Sequence, residues 1–466
     1  MIASDMIATV RIAGTLPTLA ALCAAAMLWS GAAQATPDAA AAAMVPSAIA
    51  APIEPGAARP GAASGADAAD EEGRRHEPIP HRHPMTRAAR RAIPSIGPYQ
   101  GPRPPRPGEP VGPNGESLEM MIGQMLMVGF TGDDAGETGA NLIARHVAAG
   151  RLGGVLFFGQ NVESADAVRR LTKCFTDASP QGLPVLLAVD QEGGRVERLT
   201  KAVGFKETPS ARAIGTNGLD RASLVYDRLA ENLAAWGFNL NLAPVVDLGV
   251  QKDNPVIARL GRAYSDDPRL VTEFARAFIE AHHAAGVLTA LKHFPGHGSS
   301  KGDSHTGLVD ISASWSPDEL LPYRTLINEG LADMVLVAHV KLDTVRTASL
   351  GAGPVESAPA TLSPDIIEGL LRGTLGYDGV VISDDMEMGS ITDLGDPVEI
   401  AARAILAGND ILVFAGGAAP GRDLVATLHR RIREAAEADP AVLARIVQSY
   451  TRIAHLKARM LRGASN

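Results

Sequence analysis

The sequence from residue 117 onward predicts a (β/α)8 barrel of the TIM type, on three observations. Short apolar runs of strand character alternate with amphipathic helical stretches, about forty residues apart. Eight such runs fit within the last 350 or so residues, and strands alternating with helices mean a parallel sheet. No G-x-G-x-x-G follows the first run, which argues against a doubly wound open sheet.

The strand candidates, in order, are Ile122–Phe130, Gly154–Phe158, Pro184–Asp190, Asn239–Leu248, Leu288–His293, Met334–His339, Val380–Asp384 and Ile411–Phe414. Each is rich in Val, Ile, Leu or Phe without clean alternation, as strands buried on both faces are. Between them apolar residues recur at helical spacing in Ala222–Trp236, Pro268–Ala285 and Pro397–Ala407. Two further helical stretches, Gly421–Ala438 and Ala441–Leu461, complete the outer ring, so residues 117–466 read as a single barrel domain.

The first 116 residues have a different texture. Arg11 precedes an apolar run from Ile12 to Trp29, and Ala33-Gln34-Ala35 supplies a small-residue cleavage pattern before Thr36. Residues 1–35 are therefore expected to be a signal peptide that sends the chain to the periplasm or outside the cell. The alternative is an uncleaved membrane anchor, because about 18 apolar residues just span a bilayer. Residues 36–116 are Ala-, Pro- and Gly-rich with no apolar period, the composition of a disordered linker. Its segment 74–106 holds eight Arg and three His against one acid, Glu77. Such a block reads either as a contact for an anionic membrane or wall polymer, or as a solvated spacer.

Charge and cysteine narrow the function. The first 116 residues carry ten Arg and ten acids, so residues 117–466 carry the whole net charge of −9. An acidic domain lacks the basic footprint of a nucleic-acid binder. The two cysteines are Cys23, inside the export segment, and Cys174. A processed chain has no intramolecular disulfide and no Cys-based zinc site.

A barrel gathers its chemistry at the C-terminal ends of its strands. Here those ends are crowded with ionisable groups: Asp190, Glu192, Arg195 and Arg198 after the third run, Asp247 after the fourth, Lys292, His293 and His297 at the fifth, His339 and Lys341 at the sixth, Asp384 and Asp385 at the seventh. Asp247 and His339 taken singly read as members of structural salt bridges. So many groups on one rim suit a polar ligand covered in hydroxyls and amides, such as a sugar. Asp384 follows the apolar Val380-Val381-Ile382-Ser383, which fixes its carboxylate at the mouth as a nucleophile for an oxocarbenium-like carbon. Asp385 points to the opposite face and is expected to cap or orient. In the Gly- and Ser-rich loop after the fifth run, Asp303-Ser304-His305 lets Asp303 hold one imidazole nitrogen while the other faces substrate. Such pairing sets the tautomer of an acid/base group. A competing reading makes His293, His297, His305 and Asp303 a metal site, although Pro295 and Gly296 break the helix that His-x-x-x-His chelation needs.

Asp190-Gln191-Glu192-Gly193-Gly194-Arg195-Val196, Lys292-His293-Phe294-Pro295-Gly296-His297-Gly298, Asp303-Ser304-His305 and Ser383-Asp384-Asp385-Met386 together resemble the motif series of family 3 glycoside hydrolases. More narrowly, they resemble the bacterial β-N-acetylhexosaminidases of the NagZ type. The resemblance implies a retaining mechanism with Asp384 as nucleophile, His305 as acid/base and Asp303 as its partner. It implies sugar-holding roles for Asp190, Arg198, Arg262, Lys292 and His293. Arg262 lies close to Arg259 and is chosen because Tyr264-Ser265-Asp266-Asp267-Pro268 aligns behind it. The implied substrate is a terminal β-linked N-acetylglucosaminide, in nature a peptidoglycan fragment, with no cofactor and no metal. A monomer is expected. Two alternatives stay open: phosphorolysis of the same bond, and a non-catalytic protein that binds the cell wall.

Overall fold

In the computed structural model the described residues are 108–109, 111–343, 358–418 and 423–463. The expected signal peptide, the segment 74–106 and nearly all of the expected linker lie outside them. Eight parallel strands close a barrel: β1 (Leu126–Phe130), β2 (Gly154–Phe157), β3 (Leu186–Val189), β4 (Leu240–Asn241), β5 (Leu288–Phe294), β7 (Met334–Val337), β9 (Val380–Asp385) and β10 (Ile411–Ala418). They follow one another around the barrel in chain order, and β10 pairs with β1 to close it. A separate parallel pair, β6 (Val309–Asp310) and β8 (Val340–Lys341), lies outside the barrel sheet and has no counterpart in the expected strands.

The helices begin where the sequence offers caps. Asp267 accepts the Arg269 N–H at 2.9 Å ahead of Pro268–Ala284, and Asp396 accepts that of Val398 at 2.8 Å ahead of Pro397–Ala407. In both helices proline takes the first position, where no N–H is needed. The closing helices are Leu424–Ala438 and Pro440–Gly463. Inside the barrel, residues of β1, β3, β5 and β7 are buried on both faces, and Phe157 packs edge-on against Phe130 and Phe238.

Five of the eight expected strands are shorter than read, the first and the fourth by the most. The first begins at Leu126, because Leu118–Gln124 is a helix capped by Ser117, whose Oγ accepts the Met120 N–H. That helix buries Leu118, Met120, Met121 and Ile122 and so shows no amphipathic period. The fourth keeps regular pairing only at Leu240–Asn241, since Pro244 has no N–H for a ladder. The chain still runs on beside β5: Val246 N–H donates to the Lys292 carbonyl at 2.8 Å, which delivers Asp247 to the rim.

Candidate active site

Strand ends β3 and β5 meet through charge. Lys292, fully buried near the end of β5, places Nζ 2.8 Å from Asp190 Oδ1 and 2.7 Å from Glu192 Oε1. Arg198 reaches the other Asp190 oxygen at 3.3 Å, with its guanidinium over the Phe158 ring. Arg262 grips Glu192 with two hydrogen bonds, Nε to Oε2 at 2.8 Å and Nη2 to Oε1 at 2.7 Å. Burial alone would raise the Glu192 carboxyl, but the Arg262 and Lys292 cations hold it well below the usual carboxylate range. Arg259 stays outside, exposed beside Asp253.

His293 completes the group. Its Nδ1–H donates to Asp247 Oδ2 at 2.6 Å, and its Nε2 accepts from Arg262 Nη2 at 3.1 Å. Those partners fix one tautomer. Asp247 is fully buried and also accepts the N–H groups of His293 and His297, at 3.2 and 2.7 Å. The pairing expected at Asp247 is thus present as a hydrogen bond, and it orients a residue of the site. His339 departs from expectation: it forms no salt bridge, and burial, only partly offset by the Asp384 charge, lowers its imidazole from the ordinary value. Its Nε2 donates to the Asp385 carbonyl at 2.9 Å and its Nδ1 lies 2.6 Å from the Thr361 hydroxyl. Lys341 pairs with Asp310 and Asp343 and joins no rim cluster.

At the end of β9, burial would raise the Asp384 carboxyl, but the imidazoles of His339 and His293, the Asp385 N–H and the imidazole of His305 together lower it. Asp384 is therefore an anion facing three histidines. Asp385 turns the other way, as the alternation of a strand requires, and accepts the N–H groups of Glu387 at 3.1 Å and Ala415 at 2.9 Å. Burial pushes its carboxyl up to about 6.

The dyad sits on the loop after β5. His305 Nδ1–H donates to Asp303 Oδ1 at 2.7 Å, and the His305 backbone N–H donates to the same oxygen at 2.9 Å. That leaves Nε2 as the nitrogen for a substrate. The His305 side chain is 62% exposed, so it stands at the mouth rather than in the wall. The loop is fastened below: His297, neutral because burial pushes it down to about 4, meets Ser304 Oγ through Nε2 at 3.2 Å. Glu319 accepts from the backbone of Ser299 at 2.9 Å and Leu248 at 3.2 Å. Burial, with the nearby Asp247 charge, pushes Glu319 up to about 8.

The eight residues singled out in the sequence thus fall into a buried charged cluster (Asp190, Arg198, Arg262, Lys292, His293), a strand-end carboxylate (Asp384) and a loop dyad (Asp303, His305), joined electrically through His293 and His305. The residues of the competing metal reading are not gathered. His293 spends both nitrogens on Asp247 and Arg262, and its ring lies 6.1 Å from that of His297. Among the described residues no group of three or more His, Cys, Asp or Glu is arranged to hold a metal ion. Sequence reasoning left Glu192 without a role and did not find Glu319. Glu192 is signalled by its place two residues after Asp190, on the same side of an extended chain, whereas Glu319 sits in the polar turn Ser316-Pro317-Asp318-Glu319 with nothing to mark it. A cleft of about 570 Å³ beside Tyr377, Arg452 and Arg459 opens at the N-terminal end of β7 and β9, away from all these groups.

The chain is similar to β-hexosaminidase A of Pseudoalteromonas piscicida, 34% identical over 325 residues, which are 64% of this chain and 53% of that protein. It is similar to the β-hexosaminidase of Xylella fastidiosa strain M23, 35% identical over 62% of this chain and 82% of the relative. The chain thus spans about half the length of the first relative and most of the second. Among solved structures, a glycoside hydrolase family 3 β-N-acetylglucosaminidase from Paenibacillus sp. superposes with a TM-score of 0.64 at 31% identity, covering 74% of this chain and 63% of that one. The family description "Glycosyl hydrolase family 3 N terminal domain" matches residues 117–456, the whole span that carries the barrel and its rim. The chain belongs to glycosyl hydrolase family 3.

Proposed function

We propose that the protein is a retaining exo-β-N-acetylglucosaminidase that removes terminal β-linked N-acetylglucosamine from peptidoglycan fragments. The observation that carries this reading is the Asp303–His305 dyad, held 2.7 Å apart at the mouth, beside an Asp384 kept anionic under a cluster of buried hydrogen-bond donors and acceptors. The names borne by the relatives, β-hexosaminidase and β-N-acetylglucosaminidase, support it.

In the first half-reaction an Asp384 oxygen bonds to the anomeric carbon as the glycosidic C–O bond breaks, and protonated His305 gives its Nε2 proton to the departing oxygen. Asp303 keeps the Nδ1 proton in place. In the second half, water attacks the anomeric carbon and passes a proton to Nε2, and Asp384 leaves as a carboxylate. Asp190, Glu192, Asp247 and Asp384 outnumber the Arg198, Arg262 and Lys292 cations around the pocket. A cation-like transition state is favoured by that surplus of negative charge. Orientation of the sugar falls to Asp190, Arg198, Lys292, Arg262 and His293. The segment from Arg11 to Ala35 supports action outside the cytoplasm, where wall fragments arise.

The test is release of an aryl alcohol from the N-acetyl-β-glucosaminide and from the β-glucoside, with and without phosphate, followed by a muropeptide and by chitobiose. Cleavage of the N-acetyl sugar at a phosphate-independent rate, with the muropeptide preferred, is expected. A rate that requires phosphate makes the enzyme a phosphorylase, and no cleavage of any of the four leaves a wall-binding protein. Asp384→Ala is expected to lower kcat by roughly 10³-fold or more.

A further inference from the structure

The loop carrying His305 hangs from two buried acidic side chains, and they are not equivalent. Asp247 takes the N–H of His297 but also the imidazole of His293, so it serves the sugar-holding cluster as well. Glu319 is hydrogen-bonded instead to the backbone of the loop and of the segment beneath it. It comes from the turn Pro317–Leu320, beyond β6, and is 1% exposed. One oxygen takes the Ser299 N–H, from the ascending limb of the loop, and the other takes the Leu248 N–H, from the segment that delivers Asp247. Gly296 faces it so closely that a Cβ there would collide with the Glu319 side chain. Farther up, His297 joins Ser304, the neighbour of both dyad members. The chain of contacts therefore runs from Glu319 through the limb Gly296–Ser299 to His297, Ser304 and the dyad.

We propose that Glu319 is a positioning residue for proton transfer: by clamping the Ser299 and Leu248 backbones it sets where His305 stands against the glycosidic oxygen, without holding the sugar. The inference rests on the glycosidase reading above. A displaced acid costs rate only where the leaving oxygen needs a proton, because small misplacements of a reacting group are expensive and a good leaving group makes no demand on it.

The experiment compares kcat/KM for 2,4-dinitrophenyl and 4-methoxyphenyl N-acetyl-β-glucosaminides in the full chain and in Glu319→Gln and Glu319→Ala. The first substrate departs without a proton, the second does not. Glu319→Gln should lose about tenfold or more on the methoxyphenyl substrate and stay within about twofold on the dinitrophenyl one, with Glu319→Ala losing more in the same pattern. Retained dinitrophenyl activity also reports that the barrel, Asp384 and the sugar-holding cluster are intact. Equal losses on both substrates, or no loss on either, overturn the proposal. If the unaltered chain cleaves neither substrate, the glycosidase reading itself fails, an outcome distinct from both.

Discussion

At the scale of single residues, Glu192 shows how buried charges can hold a site together. It shares one oxygen between Lys292 and Arg262 and gives the other to Arg262 alone. Removing one member of such a pair strands the other, so Glu192→Gln is expected to cost about 3–5 kcal/mol of stability at neutral pH, measured by denaturant unfolding. The sign of the pH effect follows from the direction of its shift. The folded carboxyl lies below the unfolded one, so its stabilisation is complete above about pH 4.5 and fades as the pH falls further. The melting temperature of the natural chain should therefore drop on acidification below that point, and that of Glu192→Gln should drop less. The role proposed for His305 bears on rate instead. His305→Ala is expected to lose about 10²-fold or more in kcat/KM on the methoxyphenyl glycoside and little on the dinitrophenyl one, the pattern of a lost general acid.

At the scale of elements, the loop after β5 is the segment on which most depends, and its glycines are fixed by what crowds them. A Cβ on Gly298 would run into the Leu248 carbonyl, part of the backbone and unable to swing aside. Gly298→Ala should cost about 1–3 kcal/mol by overpacking and should carry the leaving-group signature of a displaced dyad, read by melting and by the same pair of glycosides. The elements that the sequence made legible are those whose cause is local. Pro268–Ala284 and Pro397–Ala407 are written by an Asp cap, a proline and an apolar stripe, and β9 by an apolar run ending in carboxylates. The dyad was legible because its two members lie two residues apart and touch directly. What was hidden has non-local causes. The Leu118–Gln124 helix is buried nearly all round and loses its period, β4 is cut short by Pro244, and Glu319 acquires its role only when distant segments close on it.

At the scale of the whole molecule, the long closing helix Pro440–Gly463 is tied to the first elements of the barrel. Lys457, fully buried in it, donates to Gln124 Oε1 at 2.7 Å and to the Gly153 carbonyl at 2.8 Å. No carboxylate offsets its charge in those contacts, and burial pushes the amine down to about 7. The folded value lies below the unfolded one, so between about pH 7 and 10 the unfolded chain binds more protons and stability rises with pH. Lys457→Met should flatten that rise, a difference visible in melting curves taken across this interval. The two ends of the barrel thus answer to different chemistry: a lysine that prefers to be neutral fastens one, and anions held by cations line the other. The placement of His305 has a consequence for how such an enzyme is altered. In the proposed mechanism the nucleophile Asp384 and the sugar-holding Lys292 and His293 stand on barrel strands, whereas the proton donor His305 rides on a stretch of some dozen residues between β5 and β6. The donor belongs to a segment separate from both of those strands. Exchanging that stretch alone offers a way to retune which aglycones are released, while the taste for the sugar stays with the barrel.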